Sequence, residues 1–360
     1  MKPLLHGLTV LGLVTATATL RADTHRFVPT AFYSTFSGDH APALRIKSGD
    51  RVITATVDDV GVGADGRALA TGQNPQTGPF YIEGAEPGDV LVVTLEKLAP
   101  NRTTGQSTSL VSPNAIAAGG LDGKPDPTRF PWTIDKAKGV VRFDLYAMAP
   151  KVDWRSRFAA TEFELPLKPT LGSIGVAPAA DAPAATMTGP FGGNLVTTDL
   201  ATGARVMLPV YQPGALLFLG HGHARQGDGV VSGTGIETSM DVEFSVEVVK
   251  KKAWPHSSIM RASTVAGEFE LGWPRIETAD YIMTVGSAAA LPQALQRATL
   301  EMHHWLDDDY GLSEKTVSLF VGQAIEYEIG SIAGQEATVV AKVRKSYLPR
   351  PAGALETVAN

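Results

Sequence analysis

The 360-residue sequence contains no cysteine. Without cysteine the fold has no disulfide framework, and enzymes that use a thiol nucleophile are excluded. Charge is also sparse, since Asp, Glu, Lys and Arg together make up 19% of the residues and the net charge is −6. Acidic and basic residues alternate along the chain, so there is no basic patch of the kind that binds nucleic acid. The sequence therefore predicts no nucleic-acid partner.

Long apolar runs are confined to the N-terminus. Lys2 precedes an apolar or small-residue stretch at 8–20, and Ala16-Thr17-Ala18 is a small-x-small cleavage pattern, with a cut after Ala22 as an alternative. This layout is typical of a secretory signal peptide, predicted over 1–22. The run is short for a membrane span, which needs about 20 apolar residues. We therefore expect a periplasmic or secreted protein with no membrane attachment after cleavage.

Turn-forming and β-branched residues are plentiful. The 37 glycines and 24 prolines separate short apolar runs, which indicates a turn-rich, mainly β protein. The stretch 45–57 predicts a hairpin around a Ser-Gly-Asp turn, and 79–100 repeats the strand-turn-strand pattern around a Pro-Gly-Asp turn. Apolar residues alternate with polar ones over 242–248, so that strand buries one face. We expect a β-barrel or β-sandwich.

Helical periodicity is confined to the C-terminal quarter. An apolar stripe with steps of four and three predicts a helix that ends at Gly311. A second helix is predicted over 312–332 with Ser313 as its cap, followed by a closing strand at 337–345. The class is thus mainly β with a C-terminal helical pair (α+β), in one unit over 23–360 that divides at most near 177–190. The stripe consists of Leu291, Leu295, Ala298, Met302 and Trp305.

Four polar residues cluster in a glycine-rich loop between two buried strands. His221 and His223 are two apart, and residues two apart on a strand face the same side. Such a pair begins many divalent metal sites, or makes ordinary hydrogen bonds in a loop. Asp228 lies between two glycines, and Glu237 follows "GTGI". Each residue alone has a structural explanation, but four within 17 positions favour a metal or substrate site.

Two further acidic positions are candidates for the same site. Asp58 and Asp59 end an apolar strand, so one of them could supply the distant carboxylate of a metal site; which of them faces the site stays open. Glu83 follows the apolar run at 80–82 in a stretch that Pro75 and Pro79 stiffen. Taken alone, this stretch is typical of a rigid loop that shapes the fold.

Three segments carry a resemblance to a known family. They are "NPQTGPFYIEGAEPGDVLVV", "GPFGGNLVTTDLATGARVMLPVYQPGALLFLGHGHARQGDGVVSGTGIE" and "MHHWLDDDYGLSEKTVSLF". Together they resemble the acetamidase/formamidase family over roughly 40–345. The resemblance implies a mostly β hydrolase that contains a barrel, cleaves the C–N bond of small amides and forms homo-oligomers, with divalent ions in some members. We expect a dimer or trimer acting on a small amide.

The family pattern G-D-x-H-A-x-x-G-D-G-E falls on 220–230. His223 and Asp228 match it, whereas His221 stands where the family has Asp and Val230 where it has Glu. The first change keeps a possible metal ligand, and the second removes a carboxylate. Asn194 matches the family's Gly-Gly-Asn block, which implies a place in the site.

Amide hydrolysis needs an activated water and a stabilised oxyanion. With no cysteine and no paired serine and lysine signature, we expect a metal ion to activate the water. The predicted ion is divalent, zinc first and calcium as the alternative, held by Asp58, His221 and His223. Asp228 would bind the ion or orient a ligand.

The remaining predicted roles concern proton transfer and the substrate. Glu237 or Glu83 would act as general base and acid, and Asn194 would donate to the amide oxygen. A second hypothesis is an exported, non-catalytic binding protein for a small amide or a metal. The His221 and Val230 departures motivate that alternative.

Overall fold

The chain folds into two large β-sheets and a pair of helices. The computed structural model describes residues 22–109, 111–120, 128–145, 162–252, 259, 263–265, 268–270 and 272–349. The predicted signal peptide, apart from its last residue, lies outside these ranges. Strands make up 42% of the described residues, which confirms the mainly β class with a C-terminal helical pair. Among the described residues, no helix combines the length and apolarity that a membrane span requires.

The first half of the described chain supplies ten strands that follow one another without an intervening α-helix. They are β1 (Thr24–Arg26), β2 (Phe32–Tyr33), β3 (Leu44–Lys47), β4 (Arg51–Ala55), β5 (Gln76–Glu83), β6 (Val90–Pro100), β7 (Thr104–Thr108), β8 (Arg129–Asp135), β9 (Val140–Asp144) and β10 (Glu162–Pro166).

The second half adds the remaining strands and both α-helices of the described residues. They are β11 (Thr170–Val176), β12 (Thr188–Gly189), β13 (Gly192–Gly193), β14 (Arg205–Pro209), β15 (Leu217–His223), β16 (Glu237–Thr238), β17 (Met240–Val249), β18 (Ser263–Val265), β19 (Glu268–Glu270), β20 (Arg275–Glu277), β21 (Tyr281–Ala288), α1 (Leu291–Tyr310), α2 (Glu314–Ala324), β22 (Glu326–Ser331) and β23 (Ala337–Arg344).

One sheet has nine strands in the order β1-β4-β17-β6-β14-β20-β21-β23-β22. The other follows β10-β9-β8-β7-β16-β15-β11-β13-β12, with β5 joining β15 and carrying β2 and β3. The main core lies between the sheets, where Phe80, Phe218 and Phe244 are fully buried. The predicted alternation of β17 is confirmed, since Val242, Phe244 and Val246 face this core. The molecule is therefore a sandwich of two sheets.

In both predicted strand-turn-strand segments, the chain passes from one sheet to the other at the turn, so each turn is a corner between the sheets. The predicted hairpin at 45–57 is wrong, because β3 pairs in parallel with β5 while β4 pairs with β1 and β17. Asp50 holds this corner by accepting the backbone N–H groups of Asp23 and Lys47, each at 2.9 Å. Asp89 does the same at the β5–β6 corner, where it accepts the Glu86 N–H. The two turns lie where the sequence predicts them, but the strands on either side of each turn pair with strands that are distant in sequence.

The helices cover the outer face of the nine-stranded sheet. α1 packs Ala298, Met302 and Trp305 against alternate residues of β21 and β23, forming a second core. Gly311 ends α1 with a φ of 65°, and the Ser313 side chain accepts the Thr316 N–H at the start of α2, both as predicted. Leu295 of the predicted stripe is 38% exposed. The predicted second helix is too long, because its last third forms β22.

A buried arginine ties α1 to the sheet. Arg275 of β20 is fully buried, and its guanidinium contacts Glu301 at 2.7 Å and Asp309 at 3.1 Å, both on α1. The guanidinium carbon also lies 4.9 Å from the centre of the Trp305 ring. Two carboxylates and an aromatic face compensate for the desolvation of this charge. The helix is thus fixed in register on the sheet.

Candidate metal centre

Strand β15 carries both histidines into the interior. All of its residues are buried, and His221 and His223 point to the same side with their ring centroids 5.1 Å apart. Room for His221 comes from Gly172 on the neighbouring strand β11. A Cβ atom there would lie 2.2 Å from His221 Nε2, so no other residue type fits beside the ring as it stands. The prediction that His221 and His223 face the same side of one strand is therefore confirmed.

Glu237 joins the two histidines from β16. It lies opposite His223 in the ladder, and its Oε1 is 2.9 Å from His223 Nε2. The backbone N–H of Gly235 also donates to Oε1, at 3.0 Å. The second carboxylate oxygen, Oε2, is buried and has no hydrogen-bond partner among the described residues. A buried carboxylate oxygen without a donor is costly, so Oε2 is available as a ligand for a cation.

Burial and charge set the protonation of the three groups. Burial lowers the pKa of His221 to about 4, so its ring is neutral at pH 7. For His223, burial alone would lower the pKa, but the charge of Glu237 and the hydrogen bonds to Glu237 and Gln226 together raise the pKa. Burial would likewise raise the pKa of Glu237, and the neighbouring His223 lowers it instead. The site thus holds an ionised carboxylate beside two imidazoles.

These three residues fit a divalent metal ion. Each offers one nitrogen or oxygen atom, and the three atoms lie within 4.8 Å of one another. His221 Nδ1 is buried and, like Glu237 Oε2, has no partner among the described residues. Two imidazoles and one carboxylate form a donor set typical of catalytic zinc sites, which keep a further position open. The geometry therefore supports the predicted metal, with Glu237 in place of Asp58 as the carboxylate.

The three groups open onto a cavity of about 540 Å³. Asp59 and Arg129 line the same cavity, and the Arg129 guanidinium donates two bonds to the Asp59 carboxylate, at 3.0 and 2.5 Å. Burial and the negative charge of Glu237 raise the pKa of Asp59 to about 7, although Arg129 acts in the opposite direction. A proton-carrying carboxyl thus shares the cavity with the candidate metal ligands.

Asp58 does not reach the three-residue group. Its carboxylate accepts the backbone N–H groups of Val60 and Val62, at 3.1 and 2.8 Å, and pairs with Arg102 at 2.6 Å. With these three contacts the Asp58 carboxylate stabilises the loop after β4. Of the two adjacent acids, Asp59 is the one that lines the cavity. Asp59, and not the predicted ligand Asp58, is therefore the acidic residue that this loop contributes to the cavity.

The other predicted residues divide between cavity and surface. Asp228 is exposed in a short 3-10 turn, and Glu83 is exposed at the end of β5; neither lines the cavity. Asp228 does not belong to the group of residues that could hold a metal ion. Asn194 does line the cavity, and its Nδ2 donates weakly to the Thr186 carbonyl at 3.4 Å. Its side chain is thus in place for a bound molecule.

The segment that contains His221, His223 and Glu237 resembles known proteins. Residues 176–340 match the Acetamidase/Formamidase family. The resemblance to this family that the sequence predicts is confirmed over the matched segment. An acetamidase from Mycolicibacterium smegmatis is 28% identical over 215 residues, which is 48% of this chain and 53% of that protein. The chain spans about half the length of the curated relatives that it matches.

Solved acetamidases share the fold over nearly the whole chain. The crystal structure of an acetamidase from Yersinia enterocolitica is 27% identical with a TM-score of 0.72, covering 93% of this chain and 96% of that one. An acetamidase from Bacillus halodurans is also 27% identical, with a TM-score of 0.70 over 90% of this chain and 98% of that one. The acetamidase/formamidase fold is thus common to all three.

The acetamidase/formamidase match covers only part of the site. His221, His223 and Glu237 lie within 176–340, whereas Asp59 and Arg129 come from outside it. Sequence reasoning missed Arg129, because an isolated arginine in an irregular segment gives no signal. It named Asp59 only as the neighbour of Asp58. The cavity is therefore assembled from the matched segment and from the part of the chain that precedes it.

Proposed function

We propose that this chain is an amidase that hydrolyses the C–N bond of small linear amides, such as formamide or acetamide, to ammonia and a carboxylate. Support comes from the family match and from solved acetamidases with the same fold. The observation that carries the proposal is in the cavity wall. There the buried His221 Nδ1 and Glu237 Oε2 have no partner among the described residues, beside a third potential ligand, His223.

His221, His223 and Glu237 would hold the ion, and zinc suits them best. Calcium takes six to eight oxygen ligands, whereas two of these three donors are nitrogens. When bound, a zinc ion lowers the pKa of water to about 7 and polarises a carbonyl oxygen. His221 has a pKa of about 4 and so keeps a free electron pair at neutral pH. The absence of cysteine excludes a thiol route.

Asp59 is our candidate for proton transfer, in place of Glu83. Its carboxyl lines the cavity and has a pKa of about 7, so it can both hold and release a proton at neutral pH. Arg129 grips both oxygens of the carboxylate and fixes its orientation. In this scheme Asp59 delivers the proton that the departing ammonia requires. Glu237, first predicted as base or acid, serves instead as a ligand.

Asn194 is the candidate donor to the substrate. Its amide lies in the cavity wall, where Oδ1 accepts Asn74 Nδ2 at 3.5 Å and Nδ2 makes a long bond to the Thr186 carbonyl. The Nδ2 group can exchange that long bond for a better acceptor. A donor aimed at a developing oxyanion contributes about 3 kcal/mol to catalysis. We therefore propose that Asn194 binds the amide oxygen.

The test measures ammonia release from formamide and acetamide by protein of determined metal content. We expect activity to disappear when a chelator removes the metal and to return when zinc is added back. Full activity in metal-free protein would contradict the metal assignment. If the amides raise the melting temperature without any turnover, the chain is a binding protein on the amidase fold instead.

Export and assembly are separate parts of the proposal. The basic and apolar stretch at 1–22 supports a periplasmic or secreted location. The family resemblance supports a homo-oligomer, a dimer or trimer. Fractionation of cells expressing the full chain tests the first point, and light scattering on the purified protein tests the second.

A further inference from the structure

Gln226 lies behind His223, on the side away from Glu237. The glutamine is 6% exposed, and its Nε2 donates to the carbonyl oxygen of Val196 at 2.9 Å. A carbonyl oxygen can only accept a hydrogen bond, so this contact fixes which end of the amide faces His223. The end that faces it is the oxygen. Gln226 Oε1 is 2.5 Å from His223 Nδ1 and also accepts the Thr170 hydroxyl at 3.2 Å.

The orientation of the amide decides where the imidazole carries its proton. Since Gln226 Oε1 is an acceptor, His223 Nδ1 must be the donor, and the neutral ring then has its electron pair on Nε2. That electron pair faces the Glu237 oxygen at 2.9 Å. Two groups that present electron pairs at this distance need a proton or a cation between them. A proton satisfies this contact in the metal-free protein, and a metal ion would take the place of that proton.

The backbone that anchors Gln226 is itself unusual. Val196 has a φ of 47°, a conformation that a β-branched residue rarely adopts. Its N–H donates to the Gly172 carbonyl at 3.0 Å, on the residue that makes room for His221, while its own carbonyl receives Gln226. Strained backbone of this kind persists where the surroundings enforce it and is concentrated at functional sites. The same short segment thus supports both histidines.

We infer that Gln226 is a positioning residue that keeps the proton of His223 on Nδ1 and so presents Nε2 to the metal ion. This inference rests on the proposed metal site. Outer partners of this type fix the tautomer and orientation of metal-binding histidines. In the family pattern that covers 220–230, position 226 is one of the unspecified residues, so the resemblance assigns it no role.

The test compares the zinc affinity of the full chain with that of three variants by competition with a chelator. Gln226→Leu removes the acceptor, and we expect its affinity to fall about 10- to 100-fold. Gln226→Glu keeps an oxygen facing Nδ1 and should restore most of the affinity. Thr170→Val is the matched control, because it removes the other bond to Oε1 and leaves the contact with His223 unchanged.

A second measurement assigns the proton directly. In zinc-loaded wild-type protein, nitrogen NMR of the His223 ring should show a proton on Nδ1 and the metal on Nε2. The reverse assignment would overturn the inference even if Gln226→Leu failed to fold. Wild-type affinity in Gln226→Leu would overturn it while leaving the metal site intact. If the wild-type protein binds no zinc, the proposed metal function fails first, and the inference fails with it.

Discussion

Replacing Gly172 with alanine tests the candidate metal site without altering any of its ligands. The added Cβ would lie 2.2 Å from Nε2, 2.6 Å from Cε1 and 2.7 Å from Cδ2 of His221, and ordinary contacts begin at 3.4 Å. The Gly172 φ does not lie in the left-handed region, so alanine adopts this backbone without strain. The whole effect therefore falls on the His221 ring, which must move by more than 1 Å.

The size of this displacement predicts a much larger effect on metal binding than on stability. Overpacking a buried site costs about 1–3 kcal/mol of the free energy of unfolding. In proteins of 150–250 residues each kcal/mol lowers the melting temperature by about 2–4 °C, and a longer chain shifts less. Metal–ligand distances, by contrast, tolerate only about ±0.2 Å. We expect the zinc affinity to fall at least as far as the 10- to 100-fold loss that follows removal of an outer partner.

The assay is a zinc titration by chelator competition, with a thermal melt of the same sample. Gly227→Ala is the control, since a Cβ there meets nothing within 4 Å and the residue has an extended backbone with a φ of −99°. The control should bind zinc like the wild type. If Gly172→Ala also binds zinc with unchanged affinity while its melting temperature falls, His221 is not a ligand and the reasoning is refuted.

Three further predictions concern other parts of the molecule. Glu237→Gln should lose zinc binding and chelator-sensitive activity, whereas Glu83→Gln, changed on the surface, should keep both; equal zinc affinity in the two variants would contradict the assignment. In metal-free protein, the raised pKa of Asp59, about 7 against a usual 3.8, means that the folded state holds a proton which the unfolded state releases. The free energy of unfolding should therefore fall by a few kcal/mol between about pH 4 and pH 7, relative to Asp59→Asn, and zinc should reduce the difference; parallel urea titrations that show no difference would disprove this. Arg275→Ala leaves Glu301 buried without its partner and should cost about 3–5 kcal/mol in denaturant unfolding; a loss below 1 kcal/mol would contradict the buried ion pair.

Local patterns predicted the elements but not their partners. The alternation over 242–248 and the cap at Ser313 depend on neighbouring residues, so both could be read from the sequence. Strand pairing depends on residues far along the chain, as when Glu243 of β17 lies opposite Ile53 of β4. The same turn residues, such as Ser-Gly-Asp, occur both in hairpins and at corners between sheets, so they do not decide which of the two forms. Sequence reasoning therefore found the turns and misassigned the first hairpin.

The site was predictable where it follows strand alternation. His221 and His223 share a face because β15 continues to its end, and Glu237 comes from the adjacent strand. Asp58 and Asp59 lie beyond the end of β4, where alternation no longer sets direction, so the choice between them depends on Arg102 and Arg129. No local pattern indicates where those two arginines fold back.

The departures from the family pattern bear on which metal the site takes. The resemblance implies an acidic residue at 221, so His221 offers a nitrogen donor in place of an oxygen donor and carries one negative charge fewer. Val230 replaces another acid and lines the cavity with an apolar side chain. A site with fewer oxygen ligands is less suitable for calcium, and two imidazoles with one carboxylate are the donor set for which we propose zinc. Since Val230 cannot carry a proton, we propose that Asp59 supplies it: its charge interacts with that of Glu237, and Arg129 fixes the orientation of its carboxyl.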